Sequence, residues 1–301
     1  MQFSIVTACY RGTRTLARTY QSLDNLNTQG VEFEWILIDD FSNDDGKTEA
    51  LIRSLQEQAS FPTKSKFLDS NHYGAKSAYE GAKLATGDYL IILDQDDLLT
   101  PDALVIFKDL IEKYKTESNF AGVCGRCSDM SGRLIGTPSP WAEKISNELE
   151  IRHHYKIRGE MFQCTKRELI EEYFYDFKPG YTNGYVWTRI ARKYRYLYTS
   201  ALVRVYDNQN PQSMTHAPKL KYLTANIFQY GYYLNKNIDY LKADPLFLGR
   251  YLLQYLRLSM HEGLGFSEVL RSLVVDLKYS AIALYPFAYL RTIIDKKKGR
   301  V

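Results

Sequence analysis

Two acidic clusters could do chemistry: Asp39-Asp40, and Asp94-Gln95-Asp96-Asp97. Each closes a short apolar run, Trp35-Ile36-Leu37-Ile38 for the first and Tyr89-Leu90-Ile91-Ile92-Leu93 for the second. One carboxylate after such a run is ordinary and often only caps a helix. Five gathered at one edge repel one another and raise each other's pKa unless a cation lies among them. Hard oxygen ligands suit Mg²⁺ or Mn²⁺, and Mg²⁺ is usually held by one or two carboxylates plus substrate phosphates. The pattern therefore predicts a divalent cation and, through it, a diphosphate.

The surrounding elements must bring those clusters together. Phe3 to Ala8 reads as a short buried strand, followed by the polar break Arg11-Gly12-Thr13 and by Leu16, Tyr20, Leu23 and Leu26 at helical spacing. Glu34 to Ile38 is a second strand, Thr48 to Gln58 a helix, and Lys66-Phe67-Leu68 a short third strand. Ser77 to Ala85 is a helix with Gly87 as its expected cap, and Tyr89 to Leu93 is the next strand. Strands alternating with helices predict a mostly parallel α/β sheet with helices on both faces. Ligands of such sheets bind beyond the carboxyl ends of the strands, where both acidic clusters fall. An amphipathic helix follows over Pro101 to Tyr114, a strand near Ala121 to Cys124, and helices near Lys166–Tyr173 and Val186–Lys193. Beyond Pro218 only Tyr- and Leu-rich helical periodicity remains, which sets a boundary between 1–217 and a helical region 218–301.

Three segments in register resemble the family-two glycosyltransferases of the GT-A fold. They are Ile5-Val6-Thr7-Ala8-Cys9-Tyr10, then Ile36 to Asp45, then Gly81 with Ala85-Thr86-Gly87-Asp88 through Asp97 and Pro101. Weaker similarity continues through Gly159 to Phe162, Val186 to Ala191 and Tyr206 to Ser213, and is of the kind found in the bacterial branch that builds capsule, O-antigen and related surface polysaccharides. The resemblance implies an inverting, metal-dependent transfer from a nucleotide-sugar donor to a glycan or lipid-linked acceptor. It makes 1–105 the nucleotide-binding half and 106–217 the acceptor half of one domain. Ala8 and Tyr10 would pack the nucleoside, and Asp40 would accept the N3–H of uracil, which favours a UDP-sugar. Asp94 and Asp96 would hold Mn²⁺ or Mg²⁺, with Asp96 the direct ligand, while Asp97 would orient the loop or the donor sugar. Lys76 would meet ribose or phosphate, or stay solvated. The family's acidic base falls near Asn183 here, and an amide cannot take a proton at neutral pH. Asp176, Glu160 and Glu172 are the candidates for the base. Two other readings stay open: a degenerate protein that binds donor without turnover, and a sugar nucleotidyltransferase, for which Arg11-Gly12-Thr13-Arg14 is a poor loop.

Composition narrows the partners. With 39 Lys and Arg against 35 Asp and Glu, the net charge of +4 over 301 residues does not argue for nucleic acid. Four cysteines in a chain this long are not a disulfide framework, and Cys124 with Cys127 reads as a pair of buried thiols. The first residues lack a signal-peptide pattern, and no uncharged apolar run reaches the roughly 18 residues a bilayer crossing needs. Those features predict a cytoplasmic protein, with the inner face of the cytoplasmic membrane as a second address. The apolar stretch Tyr279 to Leu290, ahead of Lys296-Lys297-Lys298 and Arg300, suits a helix lying in the headgroup plane or one packed in a core or dimer. His153-His154 is expected on the surface, and the tyrosines beyond residue 194 are expected to pack.

Overall fold

The computed structural model describes residues 1–74, 76–176, 184–207 and 219–298. Two compact units form. One comprises Met1–Glu148, Ile157–Pro179 and Arg189–Asn210; the other comprises Leu149–Lys156, Gly180–Thr188 and Pro211–Val301. The boundary expected at Pro218 lies outside the described residues.

The first unit is built on one sheet. Its strands are β1 (Gln2–Cys9), β2 (Glu32–Asp39), β3 (Thr63–Phe67), β4 (Tyr89–Ile92), β5 (Leu98–Leu99), β6 (Phe120–Ser128), β7 (Glu143–Ser146), β8 (Met161–Lys166) and β9 (Arg195–Val205). They run in the order β3-β2-β1-β4-β8-β6-β9-β5, with β7 also on β9. The first four strands are parallel. β8 is antiparallel to both β4 and β6, β9 is parallel to β6, and β5 and β7 are antiparallel to β9. The parallel sheet read from the sequence is thus its first half, and the second half is mixed.

Helices cover both faces. Alternate residues Phe3, Ile5, Trp35 and Leu37 share one core with Leu16 and Leu23 of α1 (Leu16–Asp24), Ile52 and Leu55 of α2 (Lys47–Gln58), and Phe107 and Ile111 of α4 (Ala103–Tyr114). On the opposite face α3 (Ser77–Leu84) comes so close that a Cβ at Gly81 would lie 2.3 Å from Val6 Cγ1. Gly87 is not the cap of α3, whose C-terminal cap is Ala85. A Cβ at Gly87 would sit 2.8 Å from the backbone of Phe3 and Ser4, so the glycine is needed for close approach to β1. All four cysteines are buried free thiols. Two further helices, α5 (Arg167–Phe174) and α6 (Gly184–Ala191), stand near their expected places.

The second unit is helical: α7 (Leu223–Lys236), α8 (Ile238–Leu241), α9 (Pro245–His261), α10 (Phe266–Ser272) and α11 (Val275–Lys297). Leu234, Leu252, Leu256, Leu273 and Leu277 lie in its core. Several tyrosines pack as expected, with Tyr230 and Phe247 rings 4.6 and 4.4 Å from Tyr251, but Tyr279 and Tyr289 are exposed. His153 departs from expectation. The turn Glu150–His154 buries it completely, with Nε2 2.7 Å from the Tyr233 hydroxyl and Nδ1 3.6 Å from Asp244 Oδ2. Its neighbour His154 is exposed. Among the described residues no helix is long and apolar enough to cross a membrane.

Candidate active site

The carboxyl edge of the parallel strands is where the backbone is strained. Arg11, Phe41, Asn43, Asp45 and Tyr73, all in loops after β1, β2 and β3, have φ between 42° and 59°. Such non-glycine conformations cost on the order of 1–3 kcal/mol each and persist only where the surroundings enforce them. Here hydrogen bonds do so. Asp39 accepts from the Ser42 N–H and hydroxyl, and Ser42 Oγ in turn accepts the Arg11 N–H at 2.9 Å. Gly12 N–H donates to Thr48 Oγ1 at 3.1 Å, which ties the β1 loop to the start of α2.

Asp40 is 1% exposed. Its Oδ1 accepts the His72 N–H at 2.9 Å and its Oδ2 the Gly74 N–H at 2.6 Å. The carboxylate thus fixes the loop that carries Tyr73, and a Cβ at Gly74 would fall 3.9 Å from Ala8 Cβ. Ala8 is half-buried, while Tyr10, Phe41 and Tyr73 are exposed aromatics on these same loops. Lys76 is half-buried at the N-terminal cap of α3.

The Asp94–Asp97 turn is held from three sides. Gln95 exchanges two hydrogen bonds with the Tyr10 backbone, accepting from N–H at 3.0 Å and donating to the carbonyl at 2.9 Å. From α1, Thr19 Oγ1 donates to the Gln95 carbonyl at 2.8 Å and Arg18 Nη2 to the Asp96 carbonyl at 3.0 Å. From β9 and the residues after it, Arg204 Nη1 lies 3.2 Å from Asp97 Oδ2, and the Asp207 N–H donates to Asp97 Oδ1 at 3.0 Å. Arg18 closes the ring by pairing with Asp207 at 2.6 Å. Arg204 also reaches Glu160 Oε2 with Nη2 at 3.1 Å, and lies over the rings of Phe162 and Tyr206 at 4.8 and 4.9 Å.

One buried guanidinium therefore stands among Asp94, Asp97 and Glu160, with Asp96 beside them. Desolvation raises the Asp94 carboxyl even though its side chain keeps an exposed edge; Arg204 opposes, and Asp96 and Glu160 add to the rise. Burial pushes fully enclosed Asp97 upward too, against Arg204. Burial alone would lower Arg204, but Asp97 and its neighbours hold it above the usual arginine range. The cluster thus sets four carboxyl groups against one buried guanidinium.

Asp39 and Asp40 turn to backbone N–H groups, whereas Asp94, Asp96 and Asp97 gather with Glu160. Among the described residues no three His, Cys, Asp or Glu side chains are arranged to hold a metal ion by themselves. Asp176 is half-exposed and pairs with Arg189 at 3.7 Å. Glu172 is exposed on α5, and Asn183 lies outside the described residues. Sequence reasoning missed Gln95, Arg18, Arg204 and Asp207. Gln95 carried a signal, as the residue enclosed by the D-x-D pattern, and Asp207 fell in the weaker similarity from Tyr206 to Ser213.

Solved glycosyltransferases share this fold. The Staphylococcus aureus TarS 1–349 structure in complex with UDP-GlcNAc matches with a TM-score of 0.65 at 15% identity, covering 99% of this chain and 92% of that one. The mannosyltransferase PcManGT from Pyrobaculum calidifontis, in complex with GDP-Man and Mn²⁺, matches with a TM-score of 0.52 at 15% identity, covering 98% and 87%. The chain belongs to glycosyl transferase family 2, whose profile matches residues 4–174. The poly(ribitol-phosphate) beta-N-acetylglucosaminyltransferase TarP of S. aureus is 32% identical over 142 residues, 47% of this chain and 41% of TarP. The amylovoran biosynthesis glycosyltransferase AmsB of Erwinia amylovora is 30% identical over 120 residues, 40% of this chain and 38% of AmsB. The matches span less than half the length of these relatives.

Proposed function

We propose that the protein is an inverting glycosyltransferase that moves a sugar from a UDP-sugar to a glycan or lipid-linked acceptor in cell-surface polysaccharide synthesis, at the cytoplasmic face of the membrane. The observation that carries this reading is the acidic Asp94–Asp97 turn, locked to the nucleotide edge of the sheet by Gln95, Arg18 and Arg204. Asp40, Ala8 and the exposed rings of Tyr10 and Tyr73 would form the nucleoside side, with Lys76 for ribose or phosphate. The TarS complex supports UDP as the nucleotide and the names of TarP and AmsB support the polysaccharide context.

The donor set fits a hard divalent ion. Asp94 and Asp96 supply two carboxylates and a diphosphate would supply the other oxygens, the usual arrangement for Mg²⁺. When bound, Mn²⁺ or Mg²⁺ contributes positive charge against that of the departing nucleoside diphosphate. The chain's own part is positioning and proton transfer. An acceptor hydroxyl attacks the anomeric carbon as the bond to the diphosphate oxygen breaks, and a carboxylate takes the hydroxyl proton. Glu160 suits that role because it stands with Asp94 in the acid cluster, held there by Arg204 at 3.1 Å, whereas Asp176 pairs with Arg189 at 3.7 Å.

Titration calorimetry with UDP tests the reading. Binding should require Mn²⁺ or Mg²⁺ and weaken at least tenfold in Asp96→Ala, and UDP-sugars should be slowly hydrolysed. Equal affinity in EDTA would defeat the metal assignment. Intact binding without any turnover would favour a donor-binding protein instead.

A further inference from the structure

The last helix has two apolar faces, and only one is used. Leu277, Ala281, Ala288, Thr292 and Asp295 of α11 are buried. Arg257 Nε and His261 Nε2 of α9 hold Asp295 Oδ2 at 2.5 and 3.2 Å, which fixes the rotation of the helix about its axis. At 3.6 residues per turn, Val275, Tyr279, Ile282, Pro286, Tyr289, Leu290 and Ile293 fall within an arc of about 100° on the opposite side. That stripe is open along most of its length: Tyr279 is 81% exposed, Val275 69%, Tyr289 and Leu290 57% and Ile282 50%, with Ile293 half-buried at its end. Exposed aromatic and branched side chains in one row are unusual on a solvated surface.

Charge identifies what covers it. Lys278 and Lys296 project along one edge of the stripe and Lys297 continues its end, by the same spacing. Asp276 is the sole exposed acid on α11 among the described residues, and Lys242 pairs with it at 2.7 Å. Lysines in the last turn are favoured by the helix dipole and alone say little, but Lys278 lies in the first turn, where that dipole opposes a cation. A surface that accepts apolar rings between cations and rejects anions is an anionic bilayer, with tyrosines at headgroup level and lysine ammoniums reaching outward.

We infer that α11 lies in the plane of an anionic membrane surface with its Val275–Ile293 stripe inserted among the headgroups. This deepens the membrane location proposed above and is independent of the chemistry at Asp94–Asp97.

Flotation of the full chain with phosphatidylcholine vesicles, with and without phosphatidylserine, tests it. The chain should bind the phosphatidylserine vesicles more tightly and detach as salt rises. Lys278→Gln and Lys296→Gln should each weaken binding roughly fivefold. Tyr279→Ser with Tyr289→Ser should weaken it at least roughly tenfold while leaving UDP-sugar hydrolysis unchanged, because both side chains are already in solvent. Failure of the unmodified chain to bind phosphatidylserine vesicles, or equal binding by all variants, overturns the inference. So does concentration-dependent self-association in sedimentation that the Ser substitutions abolish, since the stripe would then cover a second copy. Loss of hydrolysis in the unmodified chain with vesicle binding intact would count against the transferase reading alone.

Discussion

Arg204 and Asp97 form a buried ion pair, Nη1 to Oδ2 at 3.2 Å, that joins strand β9 to the last acid of the Asp94–Asp97 turn. Breaking a buried pair from one side leaves an uncompensated charge and costs on the order of 3–5 kcal/mol. Arg204→Met should therefore lower the urea midpoint markedly. Pairing it with Asp97→Leu should restore more than half of the loss, because the stranded carboxylate goes too. If the double variant is as unstable as the two single losses added together, the pair is not coupled.

Glu160 and Asp176 can be separated kinetically. Glu160→Gln should leave UDP and Mn²⁺ affinity within about twofold and reduce sugar transfer by roughly 10²–10⁴, the usual contribution of a general base. Asp176→Asn should change transfer far less, since Asp176 pairs with Arg189 at 3.7 Å, whereas Glu160 stands in the acid cluster. The reverse pattern would move the base to Asp176.

Asp40→Asn removes one acceptor oxygen from a carboxylate that satisfies two backbone N–H groups, those of His72 and Gly74. An Asn nitrogen cannot accept either bond, and a buried N–H left unsatisfied costs roughly 1–3 kcal/mol. The Tyr73 loop should loosen, seen as faster amide exchange at residues 72–74, and UDP affinity should fall. Unchanged exchange with lost affinity would place the whole effect on the nucleotide instead.

Much of this was legible because parallel strands buried on both faces read as continuous apolar runs. β1, β2 and β4 announce themselves that way, and the acids that follow β2 and β4 mark the carboxyl edge. The second half of the sheet did not announce itself. β9 carries Tyr196, Tyr198 and Arg204 among its eleven residues and resembles the aromatic, helical chain beyond it. The significance of Arg204 comes from Asp97 and Glu160, which lie far off in sequence, and no local spacing reveals such a partner. His153 misled for the same reason, since Tyr233 lies 80 residues further along the chain. Asp40 stood out in the sequence as a candidate, but its hold on the His72–Gly74 backbone depends on a loop geometry that sequence does not encode.

Glu34 supplies a test of acid stability in the sheet itself. It is 1% exposed in β2, with Lys64 Nζ 2.7 Å from Oε2, and Oε1 accepts the Ser4 hydroxyl at 2.7 Å and the Thr86 N–H at 2.6 Å. Burial by itself would raise its pKa, but these bonds outweigh it and hold the carboxyl at about 2. A pKa depressed in the folded state gives stability that is fully present above the unfolded value, near about 4.3, and is lost as pH falls through that value toward about 2. The contribution is roughly 2 kcal/mol, less than the full shift implies because Lys64 is partly open to water. In Glu34→Gln the Lys64, Ser4 and Thr86 bonds weaken, so the variant should be less stable at pH 7 and should lose less further stability between about pH 4.5 and 2 than the unmodified chain. Parallel pH profiles for the two proteins would show that other carboxylates govern acid unfolding.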